Sequence, residues 1–211
     1  MRRVAGVRFR KFAVILLAAA LVTLCSKERG RVPGEFRQVV GVVDGDTIEL
    51  GDGRKVRLIG INTPERGEPG YDSASDLTDR LIGGRQVRLE YDRDRLDRYQ
   101  RTLAYIWIDD RLINAEILKS GWASCYFFDG SMRHSREFLL AQREAMNAHR
   151  GLWKTPHAET EDSYIAYFTA YRFHRPGCES LQGADPESEI VYHVKDSAYY
   201  DGYAPCGKCR P

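Results

Sequence analysis

Residues 38–61 read Gln38-Val-Val-Gly-Val-Val-Asp44-Gly-Asp46-Thr-Ile-Glu-Leu50-Gly-Asp-Gly-Arg-Lys55-Val-Arg57-Leu-Ile-Gly-Ile61. The β-branched run at 38–43 is a strand, and Asp44-Gly45-Asp46 is turn chemistry. Residues 47–50 run back, Gly51-Asp52-Gly53 turns again, and residues 55–61 form a third strand that alternates until Ile59. Three short strands on tight turns make a meander. Downstream, Ala74, Leu77, Leu81 and Ile82 fall at helical spacing within residues 72–82, with Asp72 or Ser73 as cap and Gly83-Gly84 as stop. Val87, Leu89 and Tyr91 alternate in a fourth strand at 85–91, and residues 102–108 give a fifth. Asn114 is placed to cap a short helix ending at Gly121. Residues 135–149 form a second long helix, with Phe138, Gln142, Ala145 and His149 along one side and Gly151 as its stop. Five short strands with a helix before the fourth predict an α+β fold: a five-stranded OB-type Greek-key β-barrel with about three helices.

Four groups of residues in this frame carry chemistry. Asp46 sits on a turn, where its carboxylate can face outward, and Asn62-Thr63 at a strand end; these offer oxygen donors of the kind a hard cation such as Ca²⁺ takes. Glu65 follows Pro64, whose ring stiffens the loop; a carboxylate beside a metal can deprotonate a water aimed at phosphorus. Arg57 and Arg101 offer planar guanidiniums to the charge that builds on a phosphodiester. Arg98-Tyr99 sets a basic group beside an aromatic one, suited to a terminal phosphate or a stacked base. Taken singly, each has a plainer reading: turn formers, a solvated loop carboxylate, surface arginines.

The joint spacing of Asp46, Arg57, Asn62-Thr63-Pro64-Glu65 and Asp97-Arg98-Tyr99-Gln100-Arg101 resembles the thermonuclease (staphylococcal nuclease-like) family over residues 38–153. The resemblance implies an OB-type barrel and a Ca²⁺-dependent nuclease. It implies Asp46, Asn62 and the Thr63 carbonyl as Ca²⁺ ligands, Glu65 as general base, Arg57 and Arg101 as catalytic clamps, and Arg98 and Tyr99 as substrate contacts. It also implies cleavage on the 5′-oxygen side, leaving a 3′-phosphate. Asn62 departs from the pattern, which has Asp there; an amide oxygen coordinates without charge, so weaker Ca²⁺ binding is expected. Tyr126-Phe127-Phe128 lies where the family places aromatic stacking residues, and core packing is an equal reading.

The net charge of +2 is unevenly spread. Residues 1–34 carry +7, residues 35–154 carry −1 and residues 155–211 carry −4. Bulk charge therefore gives no support for nucleic-acid binding, and a polyanion site must be local. The arginines between Arg80 and Arg101 are the candidate, interleaved with Asp92, Asp94 and Asp97 as in a solvated, salt-bridged face. The charge map divides the chain into a targeting segment with linker at 1–34, a barrel domain at 35–154 and an extension at 155–211. The first of these places Arg2, Arg3, Arg8, Arg10 and Lys11 before a 13-residue apolar run at 12–24. This is the pattern of an export signal, too short for a usual membrane span. Cleavage, lipidation at Cys25 and an uncleaved membrane tether are all compatible with it. The expected place is outside the cytoplasm: periplasmic, secreted or membrane-anchored.

The extension holds His174-x₃-Cys178, an interval of 27 residues, then Cys206-x₂-Cys209. Two close pairs of soft or borderline ligands suit a structural tetrahedral Zn²⁺. The segment resembles the zinc module of the bacterial methylphosphotriester repair protein, in which four cysteines hold the metal; His174 replaces the first, and methyl acceptance is not expected. The alternative is a disulfide, Cys206 to Cys209 or either to Cys178, as an oxidising compartment favours. Cys125 reads as a small buried hydrophobe, and His134, His149, His157 and His193 as surface or satisfied core groups.

The sequence thus supports an exported Ca²⁺-dependent nuclease acting on DNA, RNA or both. Two other readings are a non-catalytic OB module that holds nucleic acid at the envelope, and a structural envelope protein whose zinc module meets a partner. Nothing in the sequence specifies a protein partner.

Overall fold

The computed structural model describes residues 34–128, 132–168 and 170–211. The apolar run at 12–24 and Cys25 lie outside the described residues. Among those described, no helix is long and apolar enough to cross a membrane.

Strand β1 (Glu35–Asp44) serves two partners. Its first half pairs antiparallel with β5 (Gln86–Glu90), from Glu35↔Leu89 to Gln38↔Gln86. Its second half pairs with β2 (Thr47–Leu50), and irregularities in register between Val39 and Gly41 and between Val42 and Asp44 bend it. Bulges of this kind let a strand turn a barrel corner. β2 pairs with β3 (Lys55–Leu58), β5 with β6 (Thr102–Ile108), and β3 closes onto β6 in parallel through Val56↔Thr102 to Leu58↔Ala104. The five strands thus form the expected closed OB-type barrel, filled by Val39, Ile48, Leu50, Val56, Leu58, Val87, Leu89 and Ile106. Around it stand α1 (Tyr71–Ile82), the short β7 (Arg111–Leu112), α2 (Ile113–Ser120), β8 (Ser124–Tyr126) and α3 (Ser135–Asn147).

The third strand does not run to Ile61. Gly60 has φ +80°, and a Cβ there would come within 2.4 Å of the Phe138 ring. The chain leaves the barrel at that point and continues as β4 (Gly60–Asn62), paired with β8 through Gly60↔Tyr126 and Asn62↔Ser124. This break carries Asn62, Thr63 and Glu65 to the barrel's edge. Helix α1 begins after Gly70, with no side-chain cap from Asp72 or Ser73. Instead Thr78 Oγ1 donates to the Gly45 carbonyl at 2.7 Å. A Cβ on Gly45 would come within 2.8 Å of both Ala74 Cβ and Thr63 Cγ2, so only glycine lets this turn seat against the helix.

Asn114 is not a cap either. It is fully buried; its Nδ2 donates to the Ile59 carbonyl and its Oδ1 accepts from the Ile106 N–H, both at 2.9 Å. One amide thus ties α2 to the end of β3 and to β6. Replacing Asn114 with Ala strands both backbone groups away from water. We expect a loss of about 2–6 kcal/mol, read by urea unfolding, because each unsatisfied buried group costs about 1–3 kcal/mol.

The extension forms a four-stranded sheet, in the order β11 (Glu189–Tyr192), β9 (Tyr164–Tyr167), β10 (Arg172–His174), β12 (Ala204–Pro205), with α4 (Lys195–Tyr200) beside it. Tyr164, Ala166, Phe173, Tyr192, Ala198 and Tyr203 make its core. It packs on α3, where Gln142 Nε2 donates to the Tyr199 carbonyl and Arg143 Nε to the Tyr200 carbonyl at 2.7 Å.

Candidate active site and candidate metal centre

One cleft of about 690 Å³ at the barrel edge is lined by Asp46, Arg57, Asn62, Glu65, Arg98, Tyr99 and Arg101 together. Asp46, 6 % exposed, is the most constrained of them. Its Oδ2 accepts from Thr63 N–H at 2.9 Å and Thr63 Oγ1 at 3.1 Å, and pairs with Arg57 Nη2 at 3.0 Å. Thr47 Oγ1 donates to its Oδ1 at 3.2 Å. Burial, with a lesser push from Asp44, raises the Asp46 carboxyl to about 6 against the pull of Arg57.

Arg57 stands on β3 opposite Thr47 of β2 and Leu103 of β6. Its Nη2 also donates to Asn62 Oδ1 at 3.2 Å and its Nη1 to the Leu58 carbonyl at 2.8 Å. Asn62 Nδ2 reaches the Thr63 carbonyl at 3.3 Å. Asp46, Asn62 and the Leu58 carbonyl thus meet the Arg57 guanidinium, while the Thr63 carbonyl meets the Asn62 amide; the oxygens of Asp46, Asn62 and Thr63 are of the type that fits a hard divalent cation.

Glu65 lies on the loop after β4. Its N–H donates to Glu68 Oε2 at 2.8 Å, and its carbonyl accepts the Glu68 N–H at 2.9 Å. Its own carboxylate is exposed and has no hydrogen bond or ion pair among the described residues. Arg101 is held by Asp97, whose carboxylate accepts Arg101 Nε at 2.7 Å, Arg101 N–H at 2.9 Å and Tyr99 N–H at 2.8 Å. Arg98 and Arg101 lie 4.7 and 5.6 Å from the Tyr99 ring centroid, and Tyr99 is 65 % exposed. Of the expected catalytic, calcium and substrate sets, all but Thr63 line one cleft; Thr63 is buried behind it, donating through N–H and Oγ1 to Asp46 Oδ2.

One contributor escapes a reading of the sequence. Asp97 reads as one more acid on a solvated face, yet three donors fix its carboxylate and it in turn fixes Arg101. The aromatic run divides: Phe127 is core, while Tyr126 and Phe128 line the cleft. Alternation over residues 126–128, with Phe127 buried between a half-buried Tyr126 and an exposed Phe128, is the signal that separates them.

The cleft is acidic overall. Asp44, Asp46, Glu65, Asp92, Asp94 and Asp97 face Arg57, Arg93, Arg98 and Arg101, six carboxylates against four guanidiniums.

In the extension, the ligand atoms of His174, Cys178, Cys206 and Cys209 all lie within 4.8 Å of one another. The three thiols are free. His174 is 5 % exposed and its Nδ1 has no hydrogen-bond partner among the described residues. Arg175 N–H donates to Cys209 Sγ and Lys208 N–H to Cys206 Sγ, both at 3.4 Å. Cys125 is buried, as expected.

Fold and cleft define an OB-type barrel with an acid-and-arginine cleft at one edge. The family described as staphylococcal nuclease homologue matches residues 55–155. Thermonuclease of Staphylococcus intermedius is 35 % identical over 160 residues, 67 % of this chain and 95 % of that protein. Thermonuclease of Staphylococcus hyicus is 35 % identical over 125 residues, 55 % of this chain and 74 % of its own length. An uncharacterized endonuclease of Haemophilus influenzae is 36 % identical over 144 residues, 66 % of this chain and 75 % of its own. The chain belongs to the staphylococcal nuclease family. The matched family segment ends at residue 155, before the four-ligand cluster.

Proposed function

We propose that this protein is an exported, Ca²⁺-dependent nuclease that hydrolyses phosphodiester bonds of DNA, RNA or both. Family membership makes it a hydrolase acting on nucleic acid. The observation that carries the metal requirement is the charge of the cleft: six carboxylates and four guanidiniums would repel a polyanion. A divalent cation brings the lining to neutrality. When bound, the ion supplies Lewis-acid polarisation of a phosphoryl oxygen. Asp46, Asn62 and the Thr63 carbonyl would hold it. Glu65 takes the proton of the attacking water, and Arg57 and Arg101 stabilise the charge that grows on the phosphoryl oxygens. Arg98 and Tyr99 position the substrate. Export rests on the basic and apolar residues of 1–24. In the extension, His174, Cys178, Cys206 and Cys209 would hold a structural Zn²⁺.

Plasmid degradation with Ca²⁺ and with excess EGTA tests the central reading: cutting is expected with Ca²⁺ alone. Tight oligonucleotide binding without cutting in Ca²⁺ would replace the enzyme with a binding module.

Two predictions concern the cation. Asn62→Asp adds a charged ligand and should tighten Ca²⁺ binding by about tenfold in a calorimetric titration. Protonation of Asp46 competes with the cation, so apparent Ca²⁺ affinity should fall as pH drops through about 6 and level off above it.

A further inference from the structure

Arg172 joins the extension to the cleft. It lies on β10, two residues before His174. Its Nη1 donates to the Phe127 and Tyr171 carbonyls at 2.8 Å each. Its guanidinium lies 3.7 Å from the centroid of the Tyr126 ring. Tyr126 is a cleft wall residue on β8 and meets Phe128 edge-on at 5.4 Å. A side chain from outside the barrel therefore backs the aromatic wall of the cleft.

The place of Arg172 depends on what holds β10. That strand is three residues long, with two register pairs to β9 and two to β12. The core behind it is small, and short strands over a small core hold weakly on their own. Its far end is His174. Its carbonyl at Phe173 accepts the Cys206 N–H at 2.9 Å, so both ligand pairs attach to this strand. A disulfide would join two of the thiols and leave His174 buried with an unpartnered nitrogen. A tetrahedral Zn²⁺ uses all four side chains. At Zn–S of about 2.3 Å the ligand atoms stand about 3.8 Å apart, a small contraction from the cluster as it stands.

We propose that the extension is a zinc-held brace for the cleft. Zn²⁺ on His174, Cys178, Cys206 and Cys209 fixes β10, and Arg172 on that strand holds Tyr126 in the cleft wall. The brace deepens the nuclease reading and rests on it for the meaning of the cleft. Arg172 is a positioning residue: it acts on substrate through Tyr126.

The test uses the full chain. Elemental analysis of protein purified without added metal should find about one zinc per chain. Arg172→Ala should keep that zinc. It should weaken binding of a labelled single-stranded DNA, read with Ca²⁺ in the Glu65→Gln background so that the probe is not cut, and in the parental background raise KM by about three- to tenfold, with kcat changed by less than about twofold. Arg172→Lys keeps a cation over the ring and should recover part of the loss. Cys206→Ser should lose the zinc and weaken DNA binding like Arg172→Ala; should it fail to fold, the two Arg172 variants still decide. Absence of zinc, with a mass deficit of one disulfide among these cysteines, overturns the metal site. Zinc retained with DNA binding and KM unchanged in Arg172→Ala overturns the brace. DNA binding is read without turnover, so a chain that binds but does not cut refutes the nuclease reading separately.

Discussion

Glu65→Gln should lower kcat by about 10²–10⁴-fold, the usual contribution of a positioned general base, and leave KM nearly unchanged. Glutamine keeps the shape and the exposure of the side chain, and removes only the ability to accept a proton. The loop does not depend on the carboxylate: it is pinned by Pro64 and by the paired Glu65–Glu68 hydrogen bonds, both made through the Glu65 backbone. Melting temperature should therefore match the parent, which separates a chemical loss from a folding one. The fall should appear in single-turnover cutting of a short labelled DNA at saturating Ca²⁺. A variant that cuts at nearly the parental rate would remove Glu65 from the chemistry. Asp44 would then be the next carboxylate to test, since it lines the same cleft.

How far the sequence carried depends on the range of the forces involved. Strands 47–50 and 102–108 are read with their observed bounds because short apolar-rich runs between polar turn residues are local signals. The first strand is read short, at 38–43, because Glu35, Phe36 and Arg37 are extended by pairing to β5, some fifty residues on. The break at Gly60 was hidden inside an apolar run; it is dictated by the Phe138 ring, from a helix far along the chain. Asn114 looks like a cap because its type suits one, and its buried bonds to Ile59 and Ile106 are long-range. For the cleft, residue type and joint spacing name Asp46, Arg57, Glu65 and Arg101 as candidates, and these four share one lining. The part played by Asp97 is not legible there, because an acid among arginines looks solvated until its donors are seen in place.

Arg57→Ala should act on rate and stability at once, and the two losses should part on addition of Ca²⁺. Removing a donor preorganised for the transition state should lower kcat by about 10²–10³-fold. In the metal-free protein the change also strips the buried Asp46 carboxylate of its ion-pair partner, whose side chain is 13 % exposed against 8 % for Asp46. Breaking such a pair costs about 3–5 kcal/mol when fully buried; the Thr63 and Thr47 bonds that remain to Asp46 place this case at the lower end. The loss should depend on pH. Asp46 already titrates near 6 because burial outweighs Arg57, and without Arg57 it moves higher. A raised folded pKa means the protonated form suits the fold, so its stabilisation fades as pH rises through that value. The variant should therefore lose little stability at about pH 5 and most at about pH 8. Ca²⁺ should restore stability, because the cation replaces the guanidinium as counter-charge to Asp46, yet leave kcat low. Arg57→Lys should keep much of the stability and little of the rate, since an ammonium supplies charge without the planar fork. Stability that Ca²⁺ fails to restore would separate Asp46 from the cation, and a near-parental kcat would remove Arg57 from the phosphoryl group.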